Sequence, residues 1–337
     1  MPSSPGSDDT LLLPTVADVT EAAARLAGIA VRTPLLESDA LNEAVGGRVL
    51  IKAEPLQVTG SFKFRGAYNR ISRLADAERP AGIVAYSSGN HAQGVAAAAK
   101  RLGIPAIIVM PENAPAAKLA GTSFWGAEVV TYDRPGGEDR LAIAAELARS
   151  RGAVIVPPYD DPFIVAGQGT VGLEIAAQTE ALGARLDAAL APVGGGGLIA
   201  GTAMALHETY PGLPIYAVEP EGFDDTARSL VAGERRSVAD PTAASLCDAL
   251  TVPIPGVLTF EINRDHLAGG FAVSDAEVAH AMRAAFSHLK LVIEPGGAVA
   301  LAAVLAGRIE TAGKTLAVVA SGGNVDAALY ARLLAEA

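Results

Sequence analysis

From Gly82 onward, short β-branched apolar runs alternate with alanine-rich segments of helical spacing, and this alternation restricts the chain to parallel sheets covered by helices. The runs are Ile83–Tyr86, Ala106–Met110, Glu128–Thr131 and Val154–Val156. The segments between them predict helices over 91–102, 115–125 and 138–150. The first places Val95, Ala99 and Leu102 on one face and stops at Gly103, with Pro105 beyond. A second series starts near Gly167, with strands over Ala188–Val193, Ile215–Val218 and Leu316–Ala320 and a helix from about Leu198. Val49–Lys52 has too few neighbours to close a sheet and is expected to join that series. The expected architecture is α/β and two-lobed, each lobe a mainly parallel sheet flanked by helices. Residues 76–159 form a small inserted domain, 15–75 with 160–337 the large domain, and 1–14 a disordered tail. A length of 337 residues suits two lobes, because single cores stop growing at about 250–300 residues.

Composition removes several function classes. The net charge is −11 and no lysine or arginine stripe could follow a phosphate backbone, so nucleic acid is not an expected partner. No apolar run approaches the ~20 residues of a membrane span. The first fifteen residues contain no lysine or arginine and only Leu11–Leu13 as an apolar run, unlike a secretory leader. One cysteine, Cys247, excludes an internal disulfide; with the missing leader it points to the cytoplasm, and its apolar context reads as packing.

Three glycine-rich segments lie where loops leave strands and enter helices, the position in which parallel sheets bind ligands. Gly194-Gly195-Gly196-Gly197 leaves successive backbone N–H groups uncovered at a helix start, which suits a phosphate; a glycine turn used only for close packing is the alternative. A dinucleotide fingerprint fails at Ile199, and a nucleoside-triphosphate loop fails at Thr202. In Thr59-Gly60-Ser61-Phe62-Lys63, an aromatic residue and small neighbours suit a lysine held against a flat ring; a solvated surface lysine is the alternative. Ser87-Ser88-Gly89-Asn90-His91 offers hydroxyls, an amide and free N–H groups to a carboxylate, or an ordinary helix cap.

In this order the segments resemble the fold-type II pyridoxal-phosphate enzymes, in particular the threonine/serine dehydratase and serine racemase group. The likeness runs from about Thr15 to Asp326 and includes Lys52-Ala53-Glu54, Gln57, Thr59 through Ala67, Ala166-Gly167-Gln168-Gly169-Thr170 and Ser321-Gly322-Gly323-Asn324. It implies pyridoxal 5′-phosphate bonded to Lys63, with Phe62 on one ring face, Asn90 at the 3′-oxygen, Gly194, Gly195, Gly196 and Gly197 at the phosphate, Ser321 at the ring nitrogen and Glu294 near the ring. Ser87, Ser88, Gly89, Asn90 and His91 would take the substrate carboxylate. The implied reaction removes water and then ammonia from a small L-β-hydroxy amino acid, with Lys63 as base at the α-carbon. The chain stops about a dozen residues after Asn324, so no carboxy-terminal regulatory domain is expected. Relatives imply a homodimer or homotetramer.

Some positions leave the substrate open. Many dehydratases carry alanine where Ser88 stands, whereas racemases of the group use a serine as second acid/base and hydroxyaspartate dehydratases share it. Asp248-Ala249-Leu250 replaces the commoner Asp-Gly, and the extra methyl is expected to narrow the pocket. Arg140, with Arg134 nearby, could select a second carboxylate, as in 3-hydroxyaspartate, or could be a solvated helix-start arginine. The loop Glu219 to Asp225 resembles a divalent-cation loop of the group, implying Mg²⁺ or Ca²⁺ on Glu219, the Phe223 carbonyl and Asp225; an acidic, solvated loop is the alternative. A nucleotide enzyme and a non-catalytic regulator are the readings from other classes. A visible cofactor band separates both from the dehydratase.

Overall fold

The computed structural model describes residues 11–114, 116–133 and 136–335. Of the expected tail, residues 1–10 lie outside the described residues, as does Arg134; residues 11–14 carry neither helix nor strand. Among the described residues, ten strands occur in order: β1 (Leu35–Leu36), β2 (Arg48–Ala53), β3 (Ile83–Tyr86), β4 (Ala106–Pro111), β5 (Glu128–Tyr132), β6 (Val154–Ile155), β7 (Ala188–Pro192), β8 (Ile215–Pro220), β9 (Gly269–Val273) and β10 (Thr315–Ala320). They form a six-stranded sheet, β1-β2-β10-β7-β8-β9, and a four-stranded sheet, β5-β4-β3-β6. Every pairing is parallel except β1 with β2. The strand at Val49–Lys52 joins the second series as expected, with Ile51 opposite Val318 of β10.

The predicted helices stand within one or two residues of expectation, at Asn90–Leu102, Ala116–Phe124 and Arg140–Arg151. Gly103 ends the first in the left-handed conformation, its N–H reaching back to the Ala99 and Lys100 carbonyls. The helix Pro162–Ala181, by contrast, has no counterpart in the sequence reading. Its glycines look like loop residues, yet they let it press on the helix Gly197–Thr209. A Cβ on Gly172 would fall 2.5 Å from the Thr202 carbonyl oxygen, and one on Gly201 would fall 2.3 Å from that of Val165. β9 was also missed, because its paired glycines dilute the strand pattern; Gly270 lets Ala227 approach the sheet.

Apolar side chains from β2, β7, β8 and β10 fill the core of the large sheet, and a separate cluster packs β3 and β4 against the helix Asn90–Leu102. Among the described residues, no helix is long and apolar enough to cross a membrane. The carboxyl ends of β3, β7 and β10 converge, and the loops leaving them build the site.

Candidate active site

Lys63 opens the helix Lys63–Ser72, and its turn is stitched to the end of β10. The Phe62 N–H donates to the Ser321 carbonyl (3.1 Å), the Gly323 N–H donates to the Gly60 carbonyl (2.8 Å), and Ser61 bridges Gly322. Lys63 is half-buried; its amine lies 5.1 Å from the Phe62 ring centre and donates to the Pro158 carbonyl (2.7 Å). Burial lowers it to about 8, since the charged form loses hydration.

Opposite this lysine, the glycine loop leaves β7. Gly196 has φ +89°, which L side chains rarely adopt, and a Cβ on Gly195 would fall 2.2 Å from the Tyr159 ring. The Gly195 carbonyl accepts from the Thr259 hydroxyl (2.6 Å). Thr259 lies in the helix Val257–His266, whose first N–H groups are capped by Asp160. The loop is therefore pinned from behind through its carbonyl. One cavity is lined by Phe62, Lys63, Asn90, Gly194 to Gly197, Glu294 and Ser321, so the residues expected at a cofactor come together.

Two side chains, Glu294 and Asn324, orient the Asn90 amide at its rim. Asn90 Nδ2 donates to Glu294 Oε1 (2.5 Å), and Asn90 Oδ1 accepts from Asn324 Nδ2 (2.8 Å), which also donates to the Thr59 carbonyl (2.7 Å). An amide nitrogen carries two hydrogens, so Asn90 keeps one for a further acceptor. Burial pushes the Glu294 carboxyl up to about 7, against the lowering effect of Asn90. Asn324 and Tyr159 were missed as site residues: Asn324 stood in a quoted motif without a role, and Tyr159 carried no motif at all.

The second cavity adjoins the first and takes in Ser87, Ser88, Gly89, Lys118, Arg140 and Ala249. Gly89 is the N-cap of its helix and no side chain caps it, so Ser88 is not a helix-capping serine. Ser87 Oγ accepts from the Gly89 N–H (3.2 Å). The His91 imidazole is buried and turned away, with Nε2 donating to the Val156 carbonyl (2.9 Å). Burial, then the Lys63 charge, lowers it to about 3, so it stays neutral. What His91 can offer a carboxylate is its backbone N–H. Arg140 opens its helix with its guanidinium carbon 5.8 Å from the Tyr86 ring centre, and among the described residues it has no carboxylate partner. Lys118 is paired with Asp248 at 2.6 Å, linking the helix Ala116–Phe124 to the turn that carries Ala249.

At the far end of β8, Glu219 accepts from the Thr226 and Ala227 N–H groups (2.9 Å each), capping the helix Asp225–Ala232. Asp225 Oδ2 is buried without a partner, and Phe223 is buried beside it in sequence. Among the described residues, no group of three or more His, Cys, Asp or Glu side chains could hold a metal. Cys247 is buried, and burial raises its thiol to about 12, as packing rather than nucleophilic use requires.

The comparisons with known proteins agree with this geometry. The family described as pyridoxal-phosphate dependent enzyme matches residues 27–322. The chain is 45 % identical over 317 residues to the L-threo-3-hydroxyaspartate ammonia-lyase of a Pseudomonas species, covering 94 % of this chain and 97 % of that protein. It is 39 % identical to the serine racemase of Schizosaccharomyces pombe, over 97 % of this chain and 99 % of that one. Among solved structures, the threonine deaminase of T.th. superposes with a TM-score of 0.87 at 44 % identity, covering 93 % of this chain and 99 % of that one. Maize serine racemase superposes at 0.89 with 35 % identity, covering 95 % and 97 %. A half-buried lysine of lowered pKa sharing a cavity with a glycine loop too tight for side chains fits the cofactor of that family. The chain belongs to the fold-type II pyridoxal-phosphate dependent enzymes.

Proposed function

We propose that the chain is an ammonia-lyase that removes water and then ammonia from a small L-β-hydroxy amino acid such as L-threonine or L-serine, releasing a 2-oxo acid. The observation that carries this is the Lys63 amine, lining one cavity with the glycine loop, Asn90 and Ser321 and lowered to about 8. When bound, pyridoxal phosphate supplies the electron sink that makes the substrate α-proton acidic. Gly194 to Gly197 would hold its phosphate through backbone N–H groups, Phe62 would cover a ring face, and the spare Asn90 hydrogen would serve the 3′-oxygen. Ser321 would meet the ring nitrogen with a neutral hydroxyl, which favours prompt loss of a β leaving group over transamination, and Glu294 would lie beside the ring. Lys63 takes the α-proton, since an amine near 8 has an unprotonated fraction at neutral pH. The N–H groups and hydroxyls of Ser87 to His91 hold the substrate carboxylate at the helix start. Ser88 serves as a second acid/base, which admits serine racemisation beside elimination.

A second substrate, 3-hydroxyaspartate, is favoured by Arg140, a cavity arginine with no carboxylate partner among the described residues. The name of the Pseudomonas relative supports the same reading. A panel of L-threonine, L-serine and L-threo-3-hydroxyaspartate, followed by 2-oxo acid release, ranks the substrates by kcat/KM. Release from none of them would refute the lyase.

We further propose that Glu219, the Phe223 carbonyl and Asp225 hold Mg²⁺ or Ca²⁺, with water completing the shell. The unpartnered, buried Asp225 Oδ2 supports this. Chelation should lower the thermal midpoint and turnover, and added cation should restore both; a parent indifferent to chelation and an Asp225→Ala variant that matches it would contradict the assignment. We also read the protein as a cytoplasmic homodimer or homotetramer, which light scattering on the purified chain tests.

A further inference from the structure

Two motifs take no part in the steps above: Lys52-Ala53-Glu54 and Ala166-Gly167-Gln168-Gly169-Thr170. Both meet Arg65 behind the Lys63 helix. A helix turns ~100° per residue, so residues two apart project ~200° from one another. Lys63 faces the cavity, and Arg65 faces back into the protein, where both it and Glu54 are buried.

Arg65 there grips two carboxylates. Its Nε and Nη2 donate to Glu54 (2.8 Å each), and Nη1 and Nη2 donate to Glu174 (2.7 and 2.9 Å). Nη1 also reaches the Thr170 hydroxyl at 3.2 Å. Lys52 closes the cluster, donating to Glu174 (2.5 Å), Gln178 (2.8 Å) and the Thr33 carbonyl (2.6 Å). Two cations face two carboxylates, so the formal charges cancel.

The same turn is locked through its backbone. The Gly66 N–H donates to Gln168 Oε1 (3.1 Å), and a Cβ on Gly66 would fall 2.4 Å from Gln168 Nε2. A Cβ on Gly167 would fall 2.6 Å from the Gly66 Cα. The first turn of the Lys63 helix is thus tied to the end of β2 through Glu54 and to the helix Pro162–Ala181 through Glu174, Thr170 and Gln168.

Apolar side chains of equal volume can match a buried ion cluster in stability, so stability alone does not account for the buried charges of Lys52, Glu54 and Arg65 meeting Glu174, whose side chain is 18 % exposed. Planar guanidinium forks fix direction as well as distance. We propose that Arg65 is a positioning residue for Lys63, its double fork to Glu54 and Glu174 setting where the lysine enters the cavity. This rests on Lys63 being the cofactor lysine.

The test is Arg65→Lys in the cofactor-loaded enzyme. The charge stays but the fork is lost. We expect kcat to fall roughly ten- to hundredfold, as for displacements of about an ångström, with KM nearly unchanged. The pH midpoint of the visible cofactor band should move while the protein remains folded at the assay temperature. Should Arg65→Lys not fold, Thr170→Val carries the test: it removes one Arg65 contact and the Thr170 hydroxyl's bond to the Gly167 carbonyl (2.7 Å), leaves both carboxylates and should shift the band midpoint and kcat in the same direction by less. A kcat and band midpoint equal to the parent's, with only the thermal midpoint lowered, would overturn the proposal and leave the cluster structural. A parent without the band would overturn the Lys63 reading itself.

Discussion

The two sheets differ in breadth, six strands against four. In the six-stranded sheet β7 is buried throughout, and β2 and β10 each have only their first residue half-buried. Beside or beyond the ends of these strands stand the Lys63 turn, the glycine loop and Ser321. In the four-stranded sheet β4 is buried and β3 has only its last residue half-buried, but its edges are thin: β5 is mostly exposed or half-buried and β6 has only two residues. Its loops and helices carry Ser87 to His91, Lys118 and Arg140. Strands buried on both faces cannot move without losing packing, so groups that hold a rigid cofactor are best mounted there. The thinner sheet has less buried surface to lose, and on the proposed reading it carries the contacts that decide which amino acid reacts. Changes on the large-sheet side should therefore disturb the cofactor, and changes on the small-sheet side should alter substrate or product with the visible band intact.

Four substitutions break or sharpen that contrast. Ser88→Ala, on the small-sheet side, should suppress D-enantiomer formation by about 10²–10⁴-fold, the usual size of an acid/base contribution, with L-elimination still measurable. Chiral chromatography of the product reads this; equal loss of both activities would assign Ser88 to carboxylate binding. Gly195→Ala, on the large-sheet side, drives a methyl into the Tyr159 ring. Overpacking of about 1–3 kcal/mol corresponds to roughly ten- to hundredfold weaker cofactor binding, measurable by titrating the apoenzyme. Unchanged affinity would mean that the glycine loop yields, contrary to a firm cofactor side.

Arg140→Ala should lower kcat/KM for 3-hydroxyaspartate by about tenfold, the scale of a charge-assisted hydrogen bond, and leave L-threonine turnover and the band near the parent's. The smallest effect concerns Glu294. Its folded pKa, about 7, lies above the ordinary carboxylate value, so its contribution to stability is complete below that ordinary value and is lost as pH rises through about 7. The thermal midpoint of the parent should fall more between pH 5 and pH 8, as approximate bounds set by that shift, than that of Glu294→Gln. Parallel curves would show that Glu294 is not the titrating group.

The strands were legible wherever β-branched runs stood between clear turn signals, as in β3, β4 and β8. Pro162–Ala181 was not, because the glycines that permit its close helix contact read as breakers until the partner helix is seen. Within the site, Lys63, the glycine loop and Ser321 were legible because each sits in a compact motif. The Asn324, Asn90 and Glu294 arrangement was not: its hydrogen bonds span 204 and 234 positions, and no local pattern encodes them. The backward turn of His91 was equally hidden, since it depends on the Val156 carbonyl lying beneath the helix start.

The proposed reaction turns on Lys63, and the most direct test measures ammonia and 2-oxo acid together from L-threonine, L-serine or L-threo-3-hydroxyaspartate, in the parent and in Lys63→Ala. The parent should release equal amounts of the two products, and Lys63→Ala should give neither product nor the visible cofactor band. Normal 2-oxo acid release by Lys63→Ala would contradict it.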